Sequence, residues 1–318
     1  MKTLARGLAT ALILIVVLAT VGWLLLQRPD IPYATLEARY GYRDSQYMDL
    51  AGGVRAHYRD LGPRDAPAVV LVHGLAASTH AWDEWAKALA RDHRVIVLDL
   101  PGHGLTRTGP AFRVGPDGFE AVVDDLTRGL GLARFTLGGS SMGGEVAWSY
   151  ALDHPERVER LVLVGASGWP SPGRGGGTIF KFFGHPLGRK ILKEIDIRPL
   201  MTQALRSAYL DPKLVTPALV DRYVDLARAP GHREILLNQR PRRVATAADL
   251  SRIHVPTLVM FGQDDRLIPA ADAEKFHKAI PGATLILYPG VGHLPMEQIP
   301  DRSAADLRAW LATHPPKG

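Results

Sequence analysis

The stretch Phe135-Thr136-Leu137-Gly138-Gly139-Ser140-Ser141-Met142-Gly143-Gly144 decides the fold, because its character changes within a few residues. Residues 135–138 form a short apolar run suited to a buried strand, and residues 144–153 continue as a helix-like segment. Between them lies Gly139-Ser140-Ser141-Met142-Gly143, a G-x-S-x-G sequence in strand-to-helix context. A turn this tight tolerates little beyond glycine at its flanks, and it lifts the central hydroxyl above the sheet edge. The glycines stand two residues either side of Ser141, whereas Ser140 would have Met142 on one side, so Ser141 is the candidate nucleophile.

Working outward, the same kind of apolar run recurs at residues 68–72, 94–98, 160–164, 257–261 and 284–288. Runs of this length are too short for helices and suit strands buried on both faces. Ahead of them, residues 45–50 and 54–60 flank Gly52-Gly53, the pattern of two strands joined by a tight turn. Helix-like stretches at 81–90, 119–130, 144–153, 270–280 and 302–311 separate most of the runs. The expectation is an α/β fold with a mostly parallel eight-stranded sheet covered by helices on both faces. The alternation breaks at residues 169–245, where a Gly/Pro-rich start leads into helical patterns, so this segment reads as an inserted helical cap. The core then divides into residues 29–168 and 246–318.

Composition removes several alternatives. The chain has 318 residues, 46% hydrophobic and 22% charged, enough apolar surface to offset ordering entropy. It has no cysteine, which excludes disulfide scaffolds, zinc-thiolate sites, iron–sulfur clusters and thiol nucleophiles. A net charge of +6, half of it from Lys2, Arg6 and Arg28, leaves no nucleic-acid footprint and no nucleic-acid partner is expected. The insert at 170–245 holds 14 Lys/Arg against 6 Asp/Glu, a basic lid on an acidic body.

At the N-terminus, residues 8–26 are apolar apart from Thr10 and Thr20, which reads as an uncleaved membrane-spanning anchor within residues 1–28. The flank at residues 23–28 lacks the small residues of a signal-peptide cleavage site. Lys2 and Arg6 place this end in the cytoplasm and the remaining chain on the non-cytoplasmic side of the membrane.

A serine hydroxyl is a weak nucleophile at neutral pH, so Ser141 needs a base and the base needs an orienting acid. The C-terminal third supplies both in the order Ser, Asp, His. Asp265 follows the run at 257–261, with Asp264 as the adjacent alternative, and His293 follows the last run. Both loops emerge at the carboxyl edge of the sheet, where α/β folds bind ligands. An oxyanion also needs donors, and the loop His73-Gly74-Leu75 after the run at 68–72 offers the Leu75 N–H beside that of Met142. His73 is expected to support that loop rather than to transfer protons.

Together these motifs, with Asp99-Leu100-Pro101-Gly102-His103-Gly104, resemble the α/β-hydrolase superfamily and, within it, the cap-bearing serine esterases and lipases. The resemblance runs from about residue 45 to 311. It implies Ser141, Asp265 and His293 as a catalytic triad, Leu75 and Met142 as the oxyanion hole, and no metal or organic cofactor. Ser140 departs from the pattern, since relatives often carry His, Asn or Gln there. Residues 165–169, the other place where relatives keep the acid, hold no carboxylate.

The implied reaction is hydrolysis of carboxylic esters. A serine rather than an aspartate at the elbow sets aside dehalogenases and epoxide hydrolases. Carbon–carbon bond hydrolases of ring-cleavage products are the runner-up, because Leu75-Ala76-Ala77-Ser78 and Leu294 depart from their usual pattern. A non-catalytic membrane-tethered binding protein is the third reading. Residues 178–197 mix Ile179, Phe180, Phe182 and Phe183 with Lys181, Arg189, Lys190 and Lys193, compatible with an interfacial element. That element, the basic cap and the anchor lead to the expectation of a lipid or acylglycerol ester substrate and of the membrane as partner.

Overall fold

The computed structural model describes residues 2–109, 112, 116–170, 185–237 and 243–316. A long helix α1 (Lys2–Leu26) and a short α2 (Tyr33–Tyr40) precede a hairpin of β1 (Gln46–Leu50) and β2 (Val54–Leu61), turned through Gly52 and Gly53 at φ of 69° and 73°. Then follow β3 (Ala68–Val72), α3 (Asp83–Leu89), β4 (Arg94–Leu98), β5 (Arg107–Thr108), α4 (Pro116–Gly129), β6 (Phe135–Ser140), α5 (Met142–Asp153) and β7 (Val158–Val164). Four helices come next: α6 (Pro186–Glu194), α7 (Arg198–Tyr209), α8 (Pro217–Ala227) and α9 (His232–Leu237). The chain closes with α10 (Ala247–Leu250), β8 (Thr257–Gly262), α11 (Ala270–Ala279), β9 (Thr284–Tyr288), α12 (Pro295–Gln298) and α13 (Pro300–Thr313).

The strands form one sheet in the order β1-β2-β4-β3-β6-β7-β8-β9, with β5 beside β2. Pairing is parallel from β4 through β9, and antiparallel among β1, β2, β4 and β5. All five residues of β3 are buried, which is why this strand reads as an unbroken apolar run. Alternate side chains serve opposite faces: Val70 and Val72 join the core under α4, α5 and α11, whereas Val69 and Leu71 join that under α3 and α13. Each fully buried valine or leucine contributes about 1.5–3 kcal/mol of transfer free energy. The sheet is therefore the expected one plus a ninth, two-residue strand too short to carry a periodicity.

The insert between β7 and β8 is helical among its described residues. Thr216 caps α8 by accepting from Leu219 N at 3.2 Å, with Pro217 in the first turn where no intrahelical donor is required. Residues 171–184, which include Ile179, Phe180, Lys181, Phe182 and Phe183 of the expected interfacial element, lie outside the described residues.

Among the described residues no helix is long and apolar enough to cross a membrane. This corrects the expected anchor at residues 1–28 and, with it, the placement of the chain on the non-cytoplasmic side of a membrane. The end of α1 is instead tied to the insert: Arg28 N donates to Glu194 O at 2.6 Å, Asp196 N donates to Leu26 O at 3.0 Å, and Arg28 pairs with Asp196.

Candidate active site

Ser141 directly follows β6 and takes the N-cap position of α5 with φ 54° and ψ −115°, a strained conformation for a residue with a side chain. The surroundings hold it there. Its N–H donates to Val164 O at 3.0 Å, and its carbonyl accepts from Ser167 N at 3.0 Å and Glu145 N at 3.1 Å. A Cβ on Gly139 would run into the backbone of Gly143, one on Gly143 into the carbonyls of Val72 and His73, and one on Gly144 would lie 2.6 Å from the Ala166 side chain. The glycines around the elbow thus let β3, β6 and β7 close on one point. Gly74, at the end of β3, completes it: a Cβ there would sit 3.1 Å from Ser141 Cβ and 3.8 Å from Oγ.

The loops after β8 and β9 bring the other two residues together. The Nδ1–H of His293 donates to Asp265 Oδ2 at 2.7 Å, with side-chain exposures of 6% and 0%. Asp265 Oδ1 accepts from Leu267 N at 2.7 Å and Ile268 N at 2.9 Å, so three donors fix this carboxylate. The neighbouring Asp264 turns away and accepts from Gly290 N at 2.8 Å, tying one loop to the other. The imidazole lies over Gly165, where a Cβ would come within 3.2 Å of Nδ1. Gly165 directly follows Val164, whose carbonyl holds the Ser141 amide, so the serine and the histidine gather over the carboxyl ends of β6 and β7.

Leu75 stands at the rim, 44% exposed, on a loop bent through Ala76 at φ 59°. Met142 is the first residue of α5, at the positive end of the helix dipole, where backbone N–H groups favour negative charge. His73 is buried beneath this loop. Its Nδ1 donates to Gly74 O at 2.7 Å and its Nε2 accepts from Leu100 N at 3.0 Å. Burial pushes its pKa down, so it is a neutral brace for the loop.

Several supporting residues escape sequence reasoning. Asp99 accepts from Thr79 N at 2.7 Å, Leu105 N at 2.9 Å and His57 Nδ1 at 2.6 Å, knotting β2, β4 and the loop after β3. Burial raises the Asp99 carboxyl, but the His57 imidazole and the amide donors outweigh it and hold it well below the ordinary range. The sequence marked Asp99 only as the first residue of the 99–104 motif after the run at 94–98 and gave it no role. His293 N donates to Ala208 O at 2.8 Å in the insert, and Gln298 accepts from Gly292 N at 2.9 Å while donating to Tyr209 O. The ties to Ala208 and Tyr209 cross about 90 positions and leave no local pattern. Among the described residues no group of three or more His, Cys, Asp or Glu could hold a metal ion.

A family model described as the alpha/beta hydrolase fold matches residues 67–299. The chain is 30% identical over 257 residues to a 2-hydroxy-6-oxo-2,4-heptadienoate hydrolase of Pseudomonas putida, covering 77% of this chain and 88% of the relative. It is 27% identical over 255 residues to a pimeloyl-[acyl-carrier protein] methyl ester esterase of Nitrosomonas europaea, covering 75% and 93%. Among solved structures, a membrane phospholipase A superposes with a TM-score of 0.72 at 24% identity, over 98% of this chain and 99% of that one. At that identity the likeness is one of fold.

Proposed function

We propose that this chain, which belongs to the alpha/beta hydrolase family, hydrolyses carboxylic esters through an acyl-enzyme on Ser141. The observation that carries the reading is the buried 2.7 Å bond from His293 to Asp265 beside a strained, glycine-flanked Ser141. With Nδ1–H committed to Asp265, His293 keeps Nε2 as the base. It takes the Ser141 proton as Oγ bonds to the acyl carbon and the carbonyl electron pair moves onto oxygen. The Leu75 and Met142 N–H groups are assigned to that oxyanion; one such donor is worth roughly 100- to 1,000-fold in rate. Collapse breaks the bond to the alcohol, which leaves with the proton from His293. Water then gives a proton to His293 as it attacks the acyl carbon, and collapse breaks the bond to Oγ, which takes that proton back from His293 as the acid leaves. Asp265 stabilises the imidazolium in both halves.

The methyl ester esterase relative supports ester chemistry. In this reading residues 169–245 form a cap over the site, and the core is built from residues 29–168 and 246–318. The basic surplus of that cap supports an acylglycerol or other lipid ester as substrate. The 30% identity to the Pseudomonas putida hydrolase favours one second reading, hydrolysis of a carbon–carbon bond by the same three residues. A series of p-nitrophenyl esters of increasing acyl length, run with the Ser141→Ala variant, tests the proposal. Ser141-dependent turnover persisting to long chains is expected. Turnover unchanged in Ser141→Ala would refute the assignment, and turnover of a ring-cleavage dienoate with none of esters would favour the second reading.

A further inference from the structure

A cavity of about 530 Å³ opens between α2, α7, α8 and α12. It lies among residues that the ester-cleaving step does not use, and its wall carries a cation, Arg222, that feels the Glu297 and Asp83 carboxylates but makes no hydrogen bond to either among the described residues. Arg222 of α8 is mostly buried, with 22% of its side chain exposed. Its nearest carboxylate oxygen is Glu297 Oε2 at 4.0 Å, too far for a hydrogen bond. Its buried Nε has no hydrogen-bond partner among the described residues. Burying that donor unsatisfied costs free energy unless a ligand meets it, while the partly exposed terminal nitrogens stay open to a ligand.

Glu297 does not fill that role. Its Oε2 accepts from Tyr209 Oη at 2.6 Å, and its Oε1 is buried without a hydrogen-bond partner among the described residues. Burial and the nearby Asp83 raise its pKa, against the pull of Tyr209 and Arg222. His80, on the same wall, is driven down to about 3 by burial and is neutral. Arg39 at the mouth adds a second guanidinium, held by Asp225 at 3.0 Å through one nitrogen. Thr216 accepts from Leu219 N and keeps its hydroxyl proton for another acceptor. Leu214 and Leu219 make the remaining wall apolar.

We propose that this cavity binds a small oxyanion with a short apolar tail, an organic carboxylate, gripped by Arg222 and Arg39 and seated against Leu214 and Leu219. A planar guanidinium meets a carboxylate or a phosphate through paired N–H donors, and the apolar wall favours the former. The site is linked to catalysis through its wall. Helix α12 begins two residues after His293 and carries Glu297 and Gln298. Tyr209 bonds both of these side chains, and Ala208 beside it receives the His293 N–H. An anion drawn to Arg222 therefore loads the same hydrogen-bonded unit that positions the imidazole. Only this kinetic consequence rests on the proposed ester hydrolysis; the binding does not.

Calorimetric titration of the full-length Ser141→Ala protein with butyrate, butyramide and inorganic phosphate tests the site apart from turnover. Butyrate is expected to bind at one site per chain, butyramide at least tenfold more weakly, and Arg222→Gln to lose at least tenfold of the butyrate affinity. Arg222→Lys, which keeps the charge but not the fork, serves if the glutamine variant fails to fold, and should lose severalfold. Phosphate displacing butyrate would support a general oxyanion site. Butyrate binding undiminished in both Arg222 variants, butyramide binding as tightly as butyrate, or no butyrate binding at all would overturn the proposal.

Discussion

Replacing Asp265 by Asn changes one atom pair and removes the charge, yet the reasoning requires a large kinetic effect. Asp265 Oδ1 accepts two loop amides, from Leu267 and Ile268, and Oδ2 accepts the His293 proton. An asparagine that keeps its oxygen on the two amides must turn its NH₂ toward Nδ1. The imidazole then presents Nδ1 as acceptor and carries its proton on Nε2, where it can no longer take one from Ser141. In serine-protease triads this substitution lowers kcat about 10⁴-fold, or about 5.4 kcal/mol at 1.36 kcal/mol per decade. A fall of about 10³- to 10⁴-fold in kcat/KM on p-nitrophenyl butyrate is expected. Because the loop amides keep their acceptor, the melting temperature should move little. Asp264→Asn is the internal control: its acceptor for Gly290 N survives as an amide oxygen. Less than a twofold change is expected there. A loss below tenfold in Asp265→Asn with folding intact would refute the tautomer argument.

Gly143→Ala places a methyl group against the Val72 and His73 carbonyls, so overpacking should cost about 1–3 kcal/mol or more and lower the melting temperature by several degrees. An unchanged melting temperature would show that the turn is looser than described. The Asp99 carboxyl titrates below its ordinary value of 3.8 in the folded chain, so its stabilisation is complete above that value and is lost as pH falls through the folded one. Thermal stability should therefore drop more steeply from pH 5 to pH 3 than in Asp99→Asn; parallel slopes would contradict the assignment.

What was legible in the sequence follows from burial. The parallel strands are covered on both faces, so β3, β4 and β8 appear as continuous apolar runs, whereas β5 pairs with β2 through only two residues and carries no pattern. No pattern in the sequence marks residues 33–40, yet they form α2, because a helix of eight residues with one buried side chain, Leu36, shows no apolar stripe. The apolar stretch at residues 8–26 was over-read in the other direction: composition alone suggested a span, and among the described residues no helix is both long and apolar enough to cross a membrane.

The candidate site divides the same way. Ser141, Asp265 and His293 each follow a strand, so position in the alternation marked them. The choice between Asp264 and Asp265 needed side-chain direction, which adjacent identical residues cannot reveal. Asp99 and Gln298 act through partners far along the chain, and their roles exist only once the loops are assembled.

The central claim is that Ser141 is the nucleophile, and the most direct test is stoichiometric labelling with a p-nitrophenyl alkylphosphonate followed by intact-mass and peptide mass spectrometry. Attack by Ser141 Oγ forms an O–P bond and expels p-nitrophenolate while His293 accepts the proton. The account predicts one equivalent of p-nitrophenolate per chain, a single adduct mapped to Ser141, and neither in Ser141→Ala. An adduct on another residue, or ester turnover that survives complete labelling, would contradict it.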